Sequence, residues 1–170
     1  MLQISRTVCE GILDQNKVSL DKNGMALVGI RGYTSKNKIG LFDDALVWID
    51  QETIGGFNGN TDPSRYFNRV ATLACGVWRY KKGDHGSKVY GPYPAFRQAA
   101  PVTVLRFDGK KPAIEDTGMF GINIHHGSKK GSGTSSLGCQ TLPYAQWNAF
   151  REFGYMLIKK HAVKDFPYVL

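Results

Sequence analysis

The chain contains no apolar run approaching the ~20 residues of a membrane-spanning helix. Its opening, Met1-Leu2-Gln3-Ile4-Ser5-Arg6, lacks the apolar core of a secretion signal. These absences predict a chain made in the cytoplasm without insertion into a membrane. The cysteines are few and far apart, at positions 9, 75 and 139, with no CxxC pair. An odd, dispersed set argues against a disulfide framework and against zinc-finger spacing. Acidic residues are in deficit: 14 Asp and Glu stand against 22 Lys and Arg, a net charge of +8. That balance points to an anionic partner such as nucleic acid, anionic lipid or a cell-wall polymer. No repeat, linker or composition step divides the 170 residues, which read as one domain with a sizeable core.

What is present is aromatic and glycine-rich. Eight Tyr, nine Phe and three Trp argue against disorder, and twenty Gly favour a turn-rich, mostly β protein. Apolar residues at helical spacing (Ile4, Val8, Ile12, Leu13) predict a short first helix, with Cys9 packed beside the stripe. Strands are expected at 25–30, 45–49, 70–80 and 101–107, with a hairpin over 51–60 closed by Gly55-Gly56 and Asn58-Gly59. Cys75, in line with Leu73 and Val77, is expected in the core. Residues 81–93 read as a loop carrying His85, a surface residue with a cleft role as the alternative, and 115–118 as a turn feeding a strand that ends at His125. From Pro143, the stripe Trp147, Phe150, Phe153, Leu157 and Ile158 predicts a long C-terminal helix to about Lys160.

The chemistry concentrates between Gly121 and Pro143. Ile122 and Ile124 alternate with Asn123 and His125, and His126-Gly127 follows. A long Gly/Ser/Lys loop then leads to Ser135-Ser136-Leu137-Gly138-Cys139-Gln140. The flanks of Cys139 are small or polar, poor material for burying a thiol. A nearby imidazole would take its proton or stabilise its thiolate. Both His125 and His126 are candidates for that base; face alternation favours His125. Gly138 frees the backbone to bend, and the N–H groups of Leu137, Gly138 and Cys139 are candidates to receive an oxyanion.

The pairs Ile124-His125 and His126-Gly127, followed 13–14 residues later by Ser136-Leu137-Gly138-Cys139, resemble the catalytic signature of the L,D-transpeptidase (YkuD-like) family. The resemblance covers about residues 119–143. It implies a β-rich, mainly antiparallel, sandwich-like single domain with a C-terminal helix. It also implies a cysteine enzyme acting on peptidoglycan stem peptides through a thioester. Cys139 would be the nucleophile, His125 or His126 the base, and Ser136 and Gly138 the brace of the turn. Substrate contacts are assigned to Asn123, Gly127, Lys129, Lys130 and Gln140. The chain departs from the signature at Leu137, where many members carry His. It departs again at Gln140 and Thr141, where many have a hydrophobic residue and then Arg or Asn. The missing charge is assigned to Lys129 and Lys130, with Arg79 and Arg97 as alternatives. No cofactor and no metal are expected; a site made from His125, His126 and Cys139 lacks a fourth ligand.

A wall-acting chain without a leader implies delivery by a holin, a virion or a secretion machine, and favours wall cleavage over transfer. The competing class is a non-catalytic nucleic-acid module, drawn from the aromatic-basic run Trp78-Arg79-Tyr80-Lys81-Lys82. The enzyme reading expects iodoacetamide to label Cys139 before Cys9 and Cys75.

Overall fold

The computed structural model describes residues 2–86, 91–109, 112–131 and 133–170. It opens with α1 (Arg6–Gln15) and a single turn α2 (Leu20–Asn23), followed by β1 (Met25–Ile30), β2 (Asp44–Asp50) and β3 (Ile54–Gly59). Then come β4 (Ala71–Leu73), β5 (Val77–His85), β6 (Tyr93–Gln98), β7 (Val102–Phe107) and β8 (Pro112–Gly118). β9 (Ile124–His126), β10 (Gln140–Leu142), α3 (Tyr144–His161) and β11 (Phe166–Val169) complete the chain. The domain is β-rich, with an eight-stranded sheet in the order β10-β9-β6-β5-β11-β1-β2-β3 and a three-stranded sheet β4-β7-β8. Pairing is antiparallel except for β1 with β11 and β9 with β10, so the large sheet is mixed and the small one antiparallel.

Burial on both faces explains why β2 reads as a continuous apolar run. Leu46 and Trp48 join one core with Leu27, Phe57, Phe96, Phe166 and the α3 side chains Trp147, Phe150 and Leu157. Ala45, Val47 and Ile49 join a second core, with Cys9 and Leu13 of α1 and Val28 and Val169 of the sheet. Trp48 donates its indole N–H to the Phe150 carbonyl at 3.0 Å, tying α3 down. Gly154 permits that approach, since a Cβ there would lie 2.6 Å from the Trp48 ring. Glycine costs a helix about 1 kcal/mol, comparable to a fraction of what one fully buried aromatic returns (about 1.5–3 kcal/mol). At its C-terminal end Lys160 and His161 both reach the buried Asp50 carboxylate, each at 2.8 Å. No helix among the described residues is long and apolar enough to cross a membrane.

Several local expectations give way. The run 70–80 is two strands in different sheets, separated at Ala74–Gly76, which leaves Cys75 exposed rather than in the core. Alternation continues across the break, so pattern alone does not reveal it. Residues 81–85 extend β5 instead of forming a loop. Residues 115–118 lie inside β8, and β9 is only three residues long. Gly55 and Gly56 sit within β3 rather than closing a turn; a Cβ at Gly55 would meet the Phe153 ring at 2.8 Å.

Candidate active site

The edge of the large sheet builds the site. β10 runs parallel to β9 with Gln140 opposite Ile124 and Thr141 opposite His125. Strand side chains alternate between faces, so Asn123, His125 and Cys139 fall on one face. Ile124, His126, Gln140 and Leu142 fall on the face covered by α3. β6 sets Phe96 against Ile124, and β5 sets His85 against Tyr93. The same alternation brings His85 and Tyr93 to the cysteine's face. His85, Tyr93, His125 and Cys139 line a cleft of about 410 Å³. A larger groove of about 590 Å³, between Leu2–Ser5 and Ile54–Gly56, has no titratable side chain or thiol in its lining.

The Cys139 sulfur and one ring nitrogen each of His85 and His125 lie within 4.8 Å of one another. Cys139 donates its S–H to the Gly121 carbonyl and accepts the Asn123 N–H, both at 3.4 Å. His125 Nδ1 lies 2.7 Å from the His126 carbonyl oxygen. A carbonyl only accepts, so Nδ1 carries the proton and Nε2 keeps its lone pair. The Tyr93 hydroxyl stands 3.1 Å from the same Nδ1. Asn123 Oδ1 accepts the Gln98 N–H at 3.4 Å, which turns the amide nitrogen toward His85 Nδ1 at 3.1 Å. The His85 and His125 rings stack at 4.1 Å.

Burial governs the electrostatics. It pushes the Cys139 thiol up to about 11, against the opposing Asn123 N–H. Cys139 is half-buried, with part of the residue open to the cleft. Burial, and then the neighbouring His85, hold His125 down at about 3. His85 and His126 are lowered as well, chiefly by burial. The Tyr93 phenol is raised to about 12 by burial and by Cys139. The resting pair is therefore neutral thiol beside neutral imidazole.

The turn before Cys139 is braced from within. Ser136 Oγ donates to the Cys139 carbonyl at 2.6 Å and accepts the Gly138 N–H at 3.0 Å. The Ser64 hydroxyl accepts the Ser136 N–H at 2.6 Å. Gly138 has φ 137°, and a Cβ there would lie 2.8 Å from the Ala71 carbonyl oxygen. The Gly138 N–H is spent on Ser136, which removes it from the three expected oxyanion candidates and leaves Leu137 and Cys139.

Other assigned residues sit differently. His126 turns toward α3, stacked on Tyr93 at 4.6 Å and edge-on to Tyr144 and Trp147. Its Nδ1 lies 2.7 Å from the Gly127 carbonyl, and the residue also borders the cleft that holds Cys139. Gln140 is fully buried, accepting from the Tyr168 hydroxyl and donating to the Gly138 and Thr61 carbonyls. It supports the turn from beneath and has no surface to offer a substrate. Gly127 lines the cleft, and a Cβ there would meet the Gly133 carbonyl and the Phe42 ring at 2.8 Å, so no side chain fits at that position. Asn123 lies beneath the cleft, holding His85. Lys129 lines the cleft, 5.9 Å from the Tyr144 ring centre, whereas Lys130 is exposed outside it. Arg79 is engaged by Asp165 and Asn23, away from the site, while the charge of Arg97 acts on His85. The run 78–82 forms no exposed aromatic platform. Tyr80 is buried with its hydroxyl on the Ile122 carbonyl, and Trp78 bonds the Ala74 carbonyl.

No family model, curated protein or solved structure matches the chain. The structure places His85 in the cleft, the lesser of the two places the sequence left open for it, and adds Tyr93, which the sequence did not single out. They arrive through the β5–β6 pairing, and no spacing rule links either to Cys139.

The exposure of the three thiols moves Cys75 ahead of Cys139 in the expected order of labelling and keeps Cys9 behind it. Cys75 is exposed, Cys139 is half-buried, and Cys9 is buried with its thiol raised to about 11. At neutral pH only about one Cys139 thiol in ten thousand is ionised if its pKa is about 11. Peptide mapping after brief iodoacetamide treatment at pH 7 is expected to find Cys75 modified first, Cys139 much later and Cys9 last. In a Cys75→Ser background the rate at Cys139 climbs about tenfold per pH unit up to pH 9.

Proposed function

We propose that the protein is a cysteine enzyme that cleaves peptidoglycan stem peptides through a thioester, as the resemblance to the L,D-transpeptidase family implies. The observation that carries the reading is that Cys139 and His125 line one cleft, with the sulfur and a ring nitrogen within 4.8 Å and the tautomer of His125 set by the His126 carbonyl. As Cys139 Sγ attacks a peptide carbonyl carbon, His125 Nε2 takes the thiol proton. The oxyanion forms against the Leu137 and Cys139 N–H groups. When the C–N bond breaks, His125 returns the proton to the leaving amine and a thioester remains. Water, deprotonated by the same imidazole, releases the acid; an amine in its place gives transpeptidation. A separation somewhat beyond direct hydrogen bonding suits a free enzyme, because catalytic contacts commonly tighten when substrate binds. Lys129 at the rim supplies a positive charge for a stem-peptide carboxylate. The proposal extends to the fold, whose two sheets and C-terminal helix are compatible with the catalytic domain of that family.

The test is incubation with purified sacculi, followed by mass analysis of released muropeptides and of the intact protein. A loss of stem-peptide residues, with a hydroxylamine-labile adduct on Cys139, is the expected result. A muropeptide profile identical to that of untreated sacculi sinks the reading.

A further inference from the structure

His85 is not needed for the acyl transfer just described, yet its ring packs against His125 and closes a group of three donors around one point. One nitrogen from each ring and the Cys139 sulfur lie within 4.8 Å of each other. Two imidazoles and a thiolate form the donor set of borderline and soft cations such as Zn²⁺. Tetrahedral Zn²⁺, with bonds of about 2.0–2.1 Å to nitrogen and about 2.3 Å to sulfur, holds such ligands roughly 3.4–3.6 Å apart. Closing the present spacing takes about 1 Å of movement, shared among three side chains.

The surroundings favour that closure. The His125 Nδ1–H is held by the His126 carbonyl at 2.7 Å, the outer contact that orients an imidazole to ligate through Nε2. Asn123 plays the matching part for His85. Among the described residues its oxygen is retained by the Gln98 N–H alone, at 3.4 Å, the long end of hydrogen bonding. A half-turn of that amide presents the oxygen to His85 Nδ1–H and frees Nε2 as a donor. The cleft leaves the fourth position open to water.

We propose that His85, His125 and Cys139 form a Zn²⁺-binding site that masks the Cys139 thiol. Binding exchanges the thiol proton for the metal: Zn²⁺, one thiol and two neutral imidazoles give a bis-imidazole zinc thiolate and one proton released to solvent. No electrons move. With the sulfur and the His125 lone pair both committed, the nucleophile and its base are unavailable together. The consequence for wall cleavage rests on the function proposed above, but the site itself does not.

The experiment uses the full chain in a Cys75→Ser background and needs no peptidoglycan. Co²⁺ is added as a spectroscopic probe, Zn²⁺ affinity is measured by competition with a chromophoric chelator, and Cys139 alkylation is followed with and without Zn²⁺. The expected result is a thiolate-to-Co²⁺ charge-transfer band, one Zn²⁺ per chain, and at least tenfold slower alkylation that a chelator reverses. His85→Gln and Cys139→Ser each abolish the band. Asn123→Ala weakens Zn²⁺ binding by about 10–100-fold, and His126→Gln leaves it unchanged. Absence of the band, or Zn²⁺ affinity equal in the parent and in His85→Gln and Cys139→Ser, overturns the site. Alkylation that Zn²⁺ does not slow overturns the masking. Failure of sacculus digestion alongside a positive result here would remove the wall-cleaving function and leave the metal site standing.

Discussion

Replacing Cys139 with Ala is expected to reduce stem-peptide release from sacculi to background. His125→Ala is expected to lower it by about 10²–10⁴-fold, the usual contribution of a positioned general base. His126→Ala should change it by less than about tenfold, through packing against α3 alone. The contrast between adjacent histidines follows from the period of a strand. His125 shares a face with Cys139, whereas His126 lies under Tyr144 and Trp147. The pH profile carries a second signature. With His125 held at about 3 and Cys139 pushed up to about 11, the neutral pair persists across the intervening range. Proton transfer then accompanies S–C bond formation, and kcat/KM should be level from about pH 5 to 9 on the enzyme's side. A preformed thiolate–imidazolium pair would instead give a bell with limbs inside that range. Equal losses in His125→Ala and His126→Ala, measured as muropeptide release per minute, would remove His125 from the role given to it.

The parts of the chain that were legible in sequence were those whose partners are dictated by strong periodicity. β1, β2, β7 and α3 carry apolar patterns long enough to specify type and extent, and each formed close to where the pattern lies. β10 and β11 were not legible. Gln140–Leu142 and Phe166–Val169 are three and four residues long, and β11 contains a proline. Nothing local reveals that β11 inserts between β1 and β5 in the middle of the large sheet. The same limit applies at the site. Cys139 and His125 could be paired because one strand, one loop and one turn connect them. His85 and Tyr93 reach them through β-ladder pairings, which depend on register across strands and leave no mark in spacing. Gln140 was misplaced for a related reason: beside a nucleophile in sequence, it is one residue further along a strand and so faces the opposite side.

The buried imidazole that makes His125 a base should also make the protein acid-labile. In the folded state His125 titrates near 3; in the unfolded chain it titrates at the ordinary 6.5. Above 6.5 both states are neutral and it contributes nothing to pH dependence. As pH falls below 6.5, the unfolded chain takes up a proton that the folded one refuses, so stability declines until about pH 3. At 1.36 kcal/mol per pH unit, His125 alone removes about 2–3 kcal/mol by pH 4.5 and about 4–5 kcal/mol in full. That is a large share of a typical stability of 5–15 kcal/mol. His85 and His126, also lowered by burial, act in the same direction. Asp50 is held well below the usual carboxylate range by Lys160 and His161, which overcome its burial. Its contribution is present above the ordinary carboxylate value and is lost only below it, in a more acidic window. Asp44, raised by burial, works in the opposite sense near that value, so it does not produce the decline. The check is the urea midpoint at pH 7, 6, 5 and 4.5 for the parent and for His125→Gln. The parent is expected to lose stability steadily and the variant to lose markedly less. A parent midpoint that stays constant from pH 7 to 4.5 would mean that His125 is protonated or exposed in the native state. An imidazole in that condition has no lone pair shielded for the thiol.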